Sequence, residues 1–218
     1  MLYKSRKLLI LGTVIVVVVV AASAGAYFLL RPRSKTVAQV NGTTITQAEL
    51  DQQTSFPLTQ TPGIFDAAGG AASQKEVDAR NLQAAINQQL LLQEAKKRKI
   101  SVTGKTITAA YSALTKSYAD PVALKDKLKA ASMTEAELKS AVADNLTISA
   151  LTKSLVTDAS ATEAKLQAYY NTHKDRYAGA GSFDDLKAEI KADYLNDARS
   201  AAVTKLAAQL EKTAVIIK

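Results

Sequence analysis

His173 is the only imidazole in a chain of 218 residues that contains no cysteine. Cys–His chemistry, disulfides and thiolate metal sites are therefore excluded, and any Ser–His–Asp arrangement would have to run through His173. General acid–base work at this histidine needs a partner nucleophile or a metal with further ligands. Its neighbours Tyr169, Tyr170, Asp175 and Tyr177 supply no arrangement of that kind. The residue reads instead as a helix-end histidine, at the surface or in a tyrosine cluster. The carboxylates Glu135, Glu137, Asp184, Asp185 and Glu189 fall where helices begin, and there they complement the helix dipole. The nine glycines are scattered and form no phosphate-binding loop. The sequence predicts no catalytic residue, no cofactor and no metal.

The elements that would position these residues are mostly helices. Thr36–Val40, then Asn41-Gly42, then Thr43–Ile45 reads as a tight hairpin, because Asn-Gly supplies the two positive-φ positions of a type I′ turn. Thr46-x-x-Glu49 predicts a capping box that opens a short helix. Residues 55–73 break the pattern, with Pro57, Pro62 and three glycines beside Phe56, Leu58, Ile64 and Phe65. Beyond Ser73 the chain becomes almost uniformly helical. Val77, Leu82, Ile86, Leu90 and Ala95 mark one face, and Lys96 to Lys99 close that helix at its cation-favouring end. Further helices are expected from Lys105 to Tyr118 and from Pro121 to Ala131. Thr134-x-x-Glu137 and Ser160-x-x-Glu163 predict capping boxes for two more, and Ser182-x-x-Asp185 starts the last. On that last helix Phe183, Leu186, Ile190, Tyr194, Ala198, Ala202, Leu206 and Leu210 step by three or four. The β-branched end, Thr213 to Ile217, has the hairpin as its natural partner, so the fold is expected to close as a small sheet joined by a C-terminal strand.

The charge balance points to the N-terminus. The chain has 28 Lys+Arg against 20 Asp+Glu. Lys4, Arg6, Lys7, Arg31, Arg33 and Lys35 account for most of the surplus and flank the uncharged run Leu8–Leu30. About 20 apolar residues span a bilayer, so 8–30 is expected to be a transmembrane anchor. A basic tail precedes it (1–7) and a basic linker follows (31–35). Ala22-Ser23-Ala24 keeps open a cleavable signal, but the length of the apolar run favours an uncleaved one. The expected location is a single-pass membrane protein, N-terminus cytoplasmic, with residues 36–218 extracytoplasmic. The near-neutral main body argues against nucleic acid as a partner.

The run Val37-Ala-Gln-Val-Asn-Gly-Thr-Thr-Ile-Thr-Gln-Ala-Glu-Leu50 resembles the start of the core domain of the SurA/PrsA/trigger-factor-like extracytoplasmic foldases. Ile100-Ser-Val-Thr103, the helix from Thr162 to Tyr177 with its Tyr-Tyr and His, and the closing stretch Ser182 to Ile217 are similar to that family in the same order. The resemblance implies a mainly α chaperone core over 36–218. Many members carry a parvulin prolyl-isomerase domain after the Tyr-Tyr helix. Here only Ala-Gly-Ala-Gly separates Tyr177 from Ser182, so no such insert fits between 177 and 182.

The expected function is that of a membrane-anchored, non-enzymatic chaperone-like protein that binds unfolded or newly exported polypeptides. A prolyl isomerase by family likeness and an anchored helical scaffold of an envelope complex are the rivals. Phe56, Leu58, Ile64 and Phe65 of the apolar loop, with Tyr111 and Tyr118, are the candidate client-binding residues. Oligomeric state is not fixed by the sequence.

Overall fold

The computed structural model describes residues 34–55, 73–118 and 120–218. The chain divides into two units, Met1–Lys35 and Thr36–Lys218, and the second holds the elements that follow. It is mainly helical. Strands β1 (Thr36–Val40) and β2 (Thr43–Thr46) lead into α1 (Gln47–Ser55), α2 (Gln74–Lys97), α3 (Gly104–Lys116), α4 (Pro121–Ala130) and α5 (Glu135–Leu155). A 3-10 turn, Asp158–Ser160, precedes α6 (Glu163–Thr172), and another, Lys174–Tyr177, precedes α7 (Phe183–Glu211). Strand β3 (Ile216–Ile217) ends the chain.

The sheet order is β2-β1-β3, antiparallel throughout. Asn41 and Gly42 take φ of 49° and 84° at the turn, as the sequence requires of this hairpin. Asn41 also joins three elements. Its side-chain amide donates to Gln93 Oε1 on α2 at 2.8 Å, and its Oδ1 accepts from the Val215 backbone N–H at 2.9 Å. Its own N–H donates to the Val215 carbonyl at 2.9 Å. Gln93 in turn donates to the Val40 carbonyl at 3.0 Å. The first strands and the last are thereby pinned to one helix.

Two cores flank α2. Toward the sheet, Ile86 and Leu90 pack with Ala38, Val40, Ile45 and Leu50. Toward the other helices, Leu91 and Ala95 pack with Ile148 and Leu151 of α5 and Val203, Leu206 and Ala207 of α7. The single face read from the sequence is therefore two adjoining faces, and Val77 stands 36% exposed outside both. On α7 the buried set is likewise shifted to include Leu195, Val203 and Ala207, because its first half meets α6 and its second half meets α2 and α5. Two satellite clusters complete the body: α3 and α4 against the start of α5, and α6 against the start of α7.

The capping boxes at Thr46/Glu49, Thr134/Glu137 and Ser182/Asp185 are formed. The expected box at Ser160/Glu163 is not. Ser160 lies in the 3-10 turn and donates to the Thr157 carbonyl, and α6 starts after Thr162 instead. A further box, at Ser73/Glu76 before α2, is present.

The N-terminal expectation is corrected. The run 8–30 lies outside the described residues. Among the described residues no helix is long and apolar enough to cross a membrane, since α2, α5 and α7 carry charged side chains along their length. Among the described residues the fold is thus a mainly helical domain with a three-stranded sheet, and none of its helices is a transmembrane one. The expected single-pass membrane location, N-terminus cytoplasmic and main domain extracytoplasmic, is corrected accordingly: no membrane-crossing helix among the described residues supports it.

Candidate functional site

Of the expected client-binding residues, Phe56, Leu58, Ile64 and Phe65 lie outside the described residues. Tyr111 and Tyr118 are half-buried on and just beyond α3, packed with Leu114 and Met133 against Leu124, Leu128, Ala131 and Leu138. Helix α3 forms because Thr103 caps it, its Oγ1 accepting from the Thr106 N–H at 3.3 Å. Its apolar residues Ile107, Tyr111 and Leu114 recur at helical spacing. Yet none of its thirteen residues is buried, whereas every other α-helix of the described set buries at least two. Helix α4 begins with Pro121 at its first position, and Asp120 caps it by accepting from the Val122 N–H at 2.8 Å. Val122 itself is 59% exposed. Partial burial, first, and the nearby Glu135 carboxylate, second, raise the Tyr111 phenol above its usual pKa.

This lobe joins the sheet side through Gln52 of α1. The Gln52 amide, 9% exposed, donates to the Ser132 carbonyl at 2.9 Å. Ser132 takes φ of 51° in the turn between α4 and α5, a left-handed position that costs a side-chain-bearing residue about 1–2 kcal/mol.

The one histidine sits at the opposite end. His173 caps the C-terminus of α6 and stacks on Tyr169, with ring centroids 4.1 Å apart. Its Nδ1 lies 2.9 Å from the Tyr169 carbonyl, an acceptor only, so Nδ1 carries the hydrogen. Tyr169 donates to Asp197 Oδ2 at 2.6 Å, and Arg176 donates to both the Tyr169 hydroxyl (2.7 Å) and Asp197 (3.0 Å). Tyr177 donates to Asp193 Oδ2 at 2.8 Å. Tyr194 meets the Tyr169 ring edge-on, and Tyr170 lies against Tyr177 and Phe183. Burial, reinforced by the bond to Asp193, pushes the Tyr177 phenol up to about 12. Burial and Asp197 raise Tyr169 as well. The Tyr169 hydroxyl, followed by Arg176, holds Asp197 below the usual carboxylate range. Neutral phenols and an ionised carboxylate are what these fixed bonds favour, and together they tie α6 and the turn after it to α7. Sequence reading placed His173 among tyrosines and Tyr194 on the apolar face of the last helix, but missed Arg176, Asp193 and Asp197 as their partners. The carboxylates lie 16 to 28 residues from the phenols they accept from, so no local spacing betrays them.

A shallow depression beside this joint is lined by Glu163, Leu166, Lys187 and Lys191 among others. The Lys187–Glu163 ion pair, at 2.7 Å, occupies part of it. Among the described residues no group of three or more His, Cys, Asp or Glu side chains is placed to hold a metal ion.

The described residues form a helical body closed by a sheet of its first and last strands, with a half-covered helical lobe. The profile of the SurA-like N-terminal domain matches residues 2–152, more than half of the chain. The chain belongs to that family. No curated protein matches it.

Proposed function

We propose that this chain is a chaperone-like protein that binds unfolded polypeptide segments and holds them without making or breaking bonds. Family membership supports a role in protein folding. The observation that carries the reading is α3, an amphipathic helix whose larger apolar side chains, Ile107, Tyr111 and Leu114, are left half-covered. Holding a segment requires accessible apolar surface beside polar groups, and no reactive centre. The purified full chain should slow the aggregation of a chemically unfolded reporter protein when present in several-fold excess. An aggregation trace indistinguishable from that with an inert control protein rejects the proposal. In a peptide assay of proline isomerisation the chain should leave the rate at background.

A further inference from the structure

We infer that the α3–α4 lobe is the surface that meets the polypeptide, and that it selects segments combining apolar side chains with net negative charge. The inference rests on the polypeptide-binding reading above and names the chemistry of the segment.

Charge is unevenly distributed along the domain. Residues 94–139 carry ten Lys and Arg against five Asp and Glu, while the remainder of residues 36–218 carries twelve against fifteen. The local carboxylates are mostly engaged. Asp120 accepts from the first turn of α4, and Glu137 accepts from the Thr134 N–H at 2.8 Å and its hydroxyl at 2.7 Å. Glu135 lies near enough to the Tyr111 phenol to raise its pKa, and Glu94 is buried under Arg98 at 2.7 Å. Among the described residues of the stretch, Glu94, Asp120 and Glu137 are thus given to a guanidinium or a helix cap, three of the five carboxylates.

The lysines are in the opposite condition. Lys105, Lys116, Lys125, Lys127, Lys129 and Lys139 are all exposed. Among the described residues none of them forms an ion pair, although Lys127 Nζ stands 5.5 Å from the centre of the Tyr118 ring. At the α6–α7 end, by contrast, Arg176, Lys187 and Arg199 each have a carboxylate at 3.0 Å or less. Unpaired cations around half-covered apolar side chains complement a segment that brings its own carboxylates.

Polypeptide fits this surface better than nucleic acid does. Residues 104–139 contain no arginine, the side chain suited to bidentate phosphate contacts. The two tyrosines are committed to packing within the lobe and do not stand free as stacking platforms.

The test uses the full chain and two synthetic fluorescent peptides that share one Leu/Ala framework, one bearing glutamates and the other lysines at the same positions. At low salt the glutamate peptide should bind about tenfold more tightly. The difference should fall below about twofold near 1 M salt, where the Debye length is about 3 Å. The combined variant Lys125→Glu, Lys127→Glu, Lys129→Glu should abolish the preference. The matched variant Lys191→Glu, Lys205→Glu, Lys212→Glu, with the same change of net charge on and just beyond α7, should retain it. The salt titration of the unaltered chain decides between the outcomes even if the first variant folds poorly. Equal affinity for the two peptides, or equal response to the two variants, overturns the inference and leaves polypeptide binding standing. Binding of neither peptide overturns both. Tight binding of a polyuridine oligonucleotide or of phosphatidylserine vesicles that the glutamate peptide fails to displace also overturns it.

Discussion

At the α6–α7 end, four tyrosines, a histidine, an arginine and two aspartates are tied together across elements by ring contacts and by hydrogen bonds of 2.6 to 3.0 Å. At the α3–α4 end, the helix faces meet through aliphatic and aromatic side chains alone for the most part, and the charges stand apart in solvent. Both ends bury four or five residues in a satellite cluster. The difference is what remains uncommitted. The first end has satisfied its polar groups internally and offers little for another molecule to complete. The second leaves cations and apolar surface whose pairing must come from outside. A binding reading therefore belongs with the less finished end, even though the more elaborate chemistry lies at the other.

The largest effect that sharpens this contrast is expected from core truncation. Ile190, fully buried in the α6–α7 cluster, should cost about 3 kcal/mol when changed to Ala, within the usual range for such a cavity. Leu114→Ala on α3, half-buried, should cost about 1 kcal/mol. Urea unfolding followed by circular dichroism measures both, and equal losses would erase the distinction between the two ends.

The next effect concerns glycine. Gly181 takes φ of 147°, and an added Cβ would lie 3.3 Å from the Asp185 Cβ, the residue that caps α7. Gly181→Ala should destabilise by about 1–2 kcal/mol. The mirror experiment is Ser132→Gly in the α4–α5 turn. It relieves a left-handed side-chain-bearing residue and should stabilise by a few tenths to about 1 kcal/mol, the relief being offset by glycine's chain entropy. Melting temperatures moving in the same direction for the two variants would contradict the backbone argument.

The smallest expected effects are in the pH profile. Asp197 has a folded pKa below its unfolded value. Its contribution is therefore present above the unfolded pKa and lost as pH falls through the folded one, on the acid side of the usual carboxylate range. Asp144, on α5 between the two ends, has the opposite sign, because burial raises it. Its ionisation opposes folding above its folded pKa, and the penalty vanishes below the unfolded value. Asp144→Asn should therefore stabilise at neutral pH and lose that advantage in acid, while Asp197→Asn should weaken the fold at neutral pH and not in strong acid. Stability curves of the two variants that run parallel across pH would refute the assignment.

Local chemistry was legible in the sequence wherever one short segment decided the outcome. Asn41-Gly42, Thr46/Glu49, Thr134/Glu137 and Pro121 act within a turn or two, and the structure contains each. The strand Ile216–Ile217 was also readable, because β-branched residues favour extended backbone and the hairpin offers them an edge to pair with. Faces shared between two partners were not. The period of α2 points one way, but Ile86 and Leu91 serve different cores. Ser160 failed because Thr157 offered its hydroxyl a nearer acceptor. The Tyr169–Asp197–Arg176 joint was invisible for a similar reason, since hydrogen bonds across two helices leave no periodic trace. For the candidate surface, the sequence named Tyr111 and Tyr118, which the structure packs into the lobe, while the unpaired state of the surrounding lysines depends on where the carboxylates are held.

The meeting of Asn41 with Val215 bears on the order of events during synthesis. The two residues are 174 positions apart and exchange two hydrogen bonds. A ribosome releases the hairpin well before its third strand, which is made only after the 174 positions that separate Asn41 from Val215. Until then α2 can hold β1 and β2 through Gln93, with one edge of the sheet unpaired and Ile216 missing from the cluster it joins. The closure entropy of so long a loop grows only as the logarithm of its length, so the delay is set by elongation, at about 5–20 residues per second, more than by the search itself. A nascent chain stalled before Val215 should therefore exchange its Asn41 amide hydrogen freely while the amides inside α2 are already protected.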